Sequence, residues 1–85
     1  MQLNNLNIAV LGAGRSGRAA ARLAMKHGGH VRVFDSSPSV PDWPGDIPLH
    51  AAATEEDGRA FRADLVVISP GIETDSPFVK SFGRE

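Results

Sequence analysis

Three glycines at fixed spacing constrain this chain more than any other feature. Gly12-Ala13-Gly14-Arg15-Ser16-Gly17 follows the short apolar run Asn7-Ile8-Ala9-Val10-Leu11 and opens a stretch with helical periodicity. A run so short, β-branched and nearly unbroken reads as a parallel strand covered on both faces. Turning straight from such a strand into a helix needs a residue without Cβ at the bend. It also needs a bare backbone where an anion approaches and a small residue where helix meets strand. Gly12, Gly14 and Gly17 fill those places in order. The amides of Arg15, Ser16 and Gly17, at the helix start, lack intrahelical acceptors and with the helix dipole favour an anion. Asp35 stands 18 residues after Gly17, at the end of a second apolar run. A carboxylate there can accept hydrogen bonds from a ribose hydroxyl. The pattern predicts a nucleotide-binding strand–turn–helix unit; the plain alternative is a glycine-rich turn with Asp35 capping its own loop.

The rest of the chain supplies the frame. A helix is expected from about Ser16 to His27, with Ser16 as its N-cap and Gly28-Gly29 as its stop. Its sheet-facing stripe reads Ala20, Leu23, Ala24 and His27, with Arg15, Arg18, Arg22 and Lys26 outside. Val31–Phe34 is a second strand. Four prolines between Pro38 and Pro48 make that segment a loop, and Pro48–Ala51 a short third strand. Thr54 with Asp57 forms a capping box for a brief helix to about Arg62, weakened by Gly58 inside it. Asp64–Ser69 is the clearest strand, ended by Pro70-Gly71. Ser76 and Pro77 then open a last helix with Phe78, Val79 and Phe82 on its apolar side. The order β-α-β-(β)-α-β-α predicts a Rossmann-like, three-layer open parallel α/β sheet, with Leu11, Phe34 and Ser69 along its ligand-binding edge.

Composition excludes several classes of function. With 85 residues the chain is expected to be one domain. Nine basic residues against ten acidic ones give no basic excess for nucleic acid or acidic membrane. Zero cysteines exclude a disulfide scaffold, a thiolate metal site and a cysteine nucleophile. No apolar run approaches the ~20 residues of a membrane span and no secretory signal opens the chain, so a soluble, cytoplasmic setting is expected. The only lysines, Lys26 and Lys80, follow no phosphate-binding P-loop. His27, His30 and His50 lack metal-ligand spacing, and Glu55, Glu56 and Asp57 read as a solvated helix start. Neither a catalytic residue nor a metal ligand is expected.

One block narrows the reading further. Ala63-Asp64-Leu65-Val66-Val67-Ile68-Ser69-Pro70-Gly71-Ile72, followed shortly by Ser76-Pro77, closely resembles the Mur ligase family, and within it the branch that adds D-glutamate. With Gly12 to Gly17 and Asp35, the resemblance covers nearly the whole chain but only the first of that family's three domains. It implies binding of UDP rather than NAD, as part of UDP-N-acetylmuramoyl-L-alanine in peptidoglycan precursor synthesis. Carried over by position, Gly12, Gly14 and Gly17 form the loop at the uridine. Arg15 and Ser16 lie beside the uracil, Asp35 and Ser36 near the uracil or ribose, and Ser69, Pro70 and Gly71 near the diphosphate. Gly71 would let the anion sit close because it has no Cβ. Two positions depart from the family: Ser37 replaces a basic residue found in some members, and Arg15 replaces a frequently apolar one.

The resemblance also implies a division of labour. Residues 1–85 would be a UDP-binding N-terminal domain that binds but does not catalyse, while ATP and Mg2+ would serve the longer ligase. Because the family's first domain continues to at least one more strand, the sheet is expected to end early. The strand edge at Leu65 to Ser69 would then be open to pairing with another copy. Two further readings remain: an NAD(P)-binding fragment of an oxidoreductase, with Asp35 selecting NAD, and a stand-alone nucleotide-binding module.

Overall fold

The computed structural model describes residues 3–70 and 72–82. Its elements are β1 (Asn7–Leu11), α1 (Arg15–Lys26), β2 (His30–Phe34), β3 (Leu49–His50), α2 (Glu55–Phe61), β4 (Leu65–Ile68) and α3 (Pro77–Lys80). The four strands form one sheet in the order β3-β2-β1-β4, and every pairing is parallel. Central β1 pairs Ile8 with Val31 on one side and with Leu65 on the other. Its alternating residues feed two separate cores. Ile8 and Val10 pack with Val31, Val33, Ala21, Ala24 and Ile47. Ala9 and Leu11 pack with Phe34, Ala53, Ala63, Val79 and Phe82. Helix α1 covers the first face and α2 and α3 the second, so the expected three layers are present. The unbroken apolar run of β1 has its physical reason here, since neither of its faces meets water.

Helix α1 sits differently from the expected stripe. Gly17, Ala21 and Ala24 face the sheet, while Leu23 is 58% exposed. The reason is distance. A Cβ on Gly17 would run into the carbonyl oxygen of Gly12, so the helix lies too close for any but small residues beneath it. Side chains also fix its rotation: the Arg18 guanidinium lies 5.2 Å from the Trp43 ring centre, and Arg22 pairs with Asp46 at 2.8 Å. Trp43 in turn donates its indole N–H to the Ile47 carbonyl at 2.8 Å, giving the proline-rich loop a fold of its own. The N-cap is Gly14, not Ser16, and no side chain caps the helix start. Gly14 is extended (φ −86°, ψ −166°) and Ser16 already lies inside the first turn. Gly28 (φ +89°) supplies the expected left-handed stop.

The other face is held by aromatics and caps. All four phenylalanines meet there: Phe34 lies 4.8 Å from Phe82 and 5.1 Å from Phe61, and Phe78 lies 5.3 Å from Phe82, each edge to face. Gly58 does not merely weaken α2. A Cβ there would strike the Ser81 hydroxyl and the Phe82 ring, so its absence lets α2 and α3 approach. Ser76 caps α3 by accepting from the Val79 amide at 3.2 Å, with Pro77 opening the helix as expected.

At α2 the capping box is complete. The Thr54 amide donates to the Asp57 carboxylate at 2.8 Å, and the Asp57 amide donates to the Thr54 hydroxyl at 3.3 Å. His50 also approaches that carboxylate, at 3.3 Å. The Thr54 amide and hydroxyl, and then His50, hold the Asp57 carboxyl below its ordinary pKa. A lowered carboxylate pKa stabilises the fold above the unfolded value and loses that effect as pH falls through the folded one. Asp57→Asn should therefore be less stable than the parent chain at pH 7. The gap should close below about pH 4. Urea unfolding at both pH values measures it, and an equal gap at both would reject the assignment.

Candidate functional site

A cleft of about 470 Å³ opens at the carboxyl ends of β1, β2 and β4. The chain adds β2 and β3 on one side of β1, then crosses to place β4 on the other. Loops leaving β1 and β4 diverge to opposite faces at that reversal, and the crevice between them is where open α/β sheets hold ligands.

Each wall follows from local chemistry. Gly12 takes φ +106° and donates its amide to the Phe34 carbonyl at 2.9 Å. A Cβ there would sit 2.9 Å from both the Ile72 side chain and the Ser69 hydroxyl. Gly17 is required by the Gly12 carbonyl above it. Gly14 is different, because a Cβ on it would meet nothing within 4 Å. Conformation, packing and open space thus separate the three glycines of one motif. Asp35 accepts from the Ala13 amide and from the Ser37 amide, both at 2.8 Å. It does cap its own turn, and it also pins the glycine loop while still lining the cleft. With Ala13 engaged, the amides of Arg15, Ser16 and Gly17 are left at the uncapped start of α1.

The opposite wall carries an unsatisfied group. Ser69 donates its amide to the Leu11 carbonyl at 3.1 Å, which draws the loop after β4 against the glycine loop. Its hydroxyl oxygen is buried and finds no partner among the described residues. Leaving such a group unpaired costs about 1–3 kcal/mol. That hydroxyl faces the glycine loop, at 2.9 Å from the position of a Gly12 Cβ and 3.3 Å from that of a Gly17 Cβ.

Seven of the ten expected site residues line this cleft: Gly12, Gly14, Ser16, Asp35, Ser36, Ser69 and Pro70. Arg15 is exposed at the first helical position and Gly17 is buried beneath the loop; neither lines the cleft. Gly71 lies outside the described residues. Phe34, expected at the ligand-binding edge, joins Ile72 and Phe78, which are not among the expected site residues, in an apolar floor, and Ser76 adds a hydroxyl. The signal for Ile72 was available in part, since it follows the Ser-Pro-Gly turn. Asp35 carries the only formal charge among the described lining residues. Any anion held here meets neutral donors and the positive end of α1. Among the described residues no group of three or more His, Cys, Asp or Glu is placed to hold a metal ion. No helix among them is long and apolar enough to cross a membrane.

A parallel three-layer sheet with a glycine loop at its topological reversal defines a Rossmann-like α/β protein. Residues 6–84 match the family model for the N-terminal domain of MurD-like Mur ligases, and the chain belongs to that family. It is 35% identical over 80 residues to the UDP-N-acetylmuramoylalanine–D-glutamate ligase of Chlorobium luteolum, covering 91% of this chain and 17% of the relative. The ligase of the same name from Acidobacterium capsulatum is 36% identical over 93 residues, covering 98% of this chain and 20% of the relative. For that of Chromobacterium violaceum the values are 35% over 91 residues, 99% and 20%. The chain thus spans about a fifth of the length of the curated relatives it matches.

Proposed function

We propose that the cleft binds the UDP moiety of UDP-N-acetylmuramoyl-L-alanine, and that residues 1–85 act as the nucleotide-anchoring N-terminal domain of a ligase that adds D-glutamate. One observation carries the reading: the cleft at the carboxyl ends of β1, β2 and β4 brings Gly14 and Ser16, at the uncapped start of α1, together with Ser69 and Pro70 of the loop after β4. A diphosphate in the cleft would take the free amides at the start of α1. Ser69, Pro70 and Gly71 would flank it on one side and the α1 amides on the other. Asp35 and Ser36 would take the ribose or uracil, and Arg15 with Ser16 would lie beside the uracil. Asp35 is held rigid by two amides, so it would meet a hydroxyl without reorganising.

Binding is the part of the reaction we assign to this chain. In such a ligase ATP phosphorylates the substrate carboxyl and the amine of D-glutamate displaces the phosphate. The sequence contains no P-loop lysine, so the ATP, Mg2+ and D-glutamate sites belong to the rest of the ligase in this reading. The chain alone would then anchor the nucleotide end of the substrate without turning it over.

Amide NMR titration with UDP-N-acetylmuramoyl-L-alanine, UDP and NADH tests the proposal. Shifts are expected at Gly12 to Gly17 and at Ser69 to Ile72 with the two uridine ligands only. Stronger shifts with NADH would overturn it in favour of an oxidoreductase fragment.

A further inference from the structure

Two alanines hold the turn that carries Asp35 and Ser36 into the cleft. Strand β3 pairs with β2 as far as Phe34 and His50. Just past that pair, the Asp35 amide still donates to the His50 carbonyl, at 3.1 Å. A regular parallel ladder would next bring the amide of residue 52 to the Asp35 carbonyl. The Ala53 amide takes that place, at 3.0 Å, and the Ala52 amide donates instead to the Ser37 carbonyl at 2.9 Å. The ladder has gained one residue, and the break lies at Ala52.

The backbone there is left-handed, at φ +53°. That conformation crowds the Cβ of alanine against a neighbouring carbonyl, and alanine has no polar side chain to offset it. The Ala52 side chain is exposed and does not line the cleft. The next two residues hold the conformation in place. Ala53 is buried in the phenylalanine core at 7% exposure, and Thr54 caps α2. Strained backbone of this kind persists only where its surroundings over-determine it, and it gathers at binding sites.

We propose that Ala52 is a positioning residue of the nucleotide cleft: its left-handed backbone sets where Asp35 and Ser36 meet the ligand, while Ala52 itself stays clear of it. The inference rests on the UDP reading of the cleft. Its geometric basis is a pair of amides that clamps Ser36 from both sides. Ala53 fixes the carbonyl before it and Ala52 the carbonyl after it. Ser36 has no hydrogen bond of its own among the described residues, so its place depends on those neighbours. An ordinary extended conformation at Ala52 would swing its amide away from Ser37 and release that rim of the cleft.

Isothermal titration of UDP into three variants of the 85-residue chain separates backbone from side chain. Ala52→Gly and Ala52→Asn accept a left-handed backbone and should bind within about threefold of the parent. Ala52→Val resists it, and its Kd should rise at least about tenfold. The exposed position lets all three fold, which circular dichroism checks. Parental affinity in the valine variant, or equal losses in all three, overturns the proposal. A parent chain that does not bind UDP removes the nucleotide reading, and a ligand-free measurement then decides the clamp. The Ala52 and Ala53 amides of the parent should exchange with solvent at least about tenfold slower than in an unfolded chain. Exchange of both at the unfolded rate means there is no clamp, whatever the cleft binds.

Discussion

Replacing Gly17 with alanine should cost the fold about 3 kcal/mol, a large share of the total for a chain of this size. The added methyl would run into the Gly12 carbonyl oxygen, which is backbone and cannot rotate aside. Relief would require lifting α1 from β1, opening the core that Ala21 and Ala24 share with Ile8 and Val10. Gly12 cannot retreat either, because it holds φ +106° and donates to Phe34. Urea unfolding should show a midpoint lower by roughly 2–3 M, at about 1 kcal/mol per molar urea. A midpoint within about 0.5 M of the parent chain would show that the close approach is not required.

Gly14→Asp should have the opposite profile. Its backbone is extended and a Cβ there meets nothing within 4 Å, so the fold tolerates a side chain. Aspartate is also a better N-cap than glycine, by a few tenths of a kcal/mol, and α1 has no side-chain cap to displace. Stability should stay level or rise slightly. UDP binding should nonetheless fall at least about tenfold, because the new carboxylate takes the helix-start amides and repels a diphosphate. Isothermal titration with UDP beside the unfolding curve separates the two effects. If the variant binds UDP as well as its parent, the anion does not sit at the start of α1.

Those two outcomes mark how far sequence alone reaches. The motif located the loop, its strand and its helix, because apolar runs and glycine spacing are local and survive any tertiary context. Asp64–Ser69, the capping box at Thr54 and the Ser76-Pro77 start were legible for the same reason. The face of α1 was not. Reading Leu23 as buried assumes that the largest apolar residue seeks the core, whereas the Gly12 carbonyl sets a separation that admits only glycine and alanine. Ser16 as N-cap failed on a similar point, since cap identity depends on where the chain leaves its extended conformation. Gly58 looked like a flaw within α2 because its partner, Ser81 and Phe82, is more than 20 residues away. Long-range proximity also hid the part of the cleft floor that Phe78 builds beside Phe34, which lies 44 residues earlier in the chain (78 − 34).

Asp35 has a consequence for how such a site can change over time. One carboxylate oxygen serves the glycine loop and the other its own turn, while its backbone amide donates to His50 of β3 and its carbonyl accepts from Ala53 just after it. A residue that only touched ligand could be exchanged freely as ligand preference drifted. Here any substitution that alters the charge presented to a ligand also unfastens Ala13, Ser37 or both. Preference and architecture are thus inherited together at this position. New specificities on this scaffold should arise at Ser36 or Phe78, whose side chains reach the cleft without holding the loop in shape.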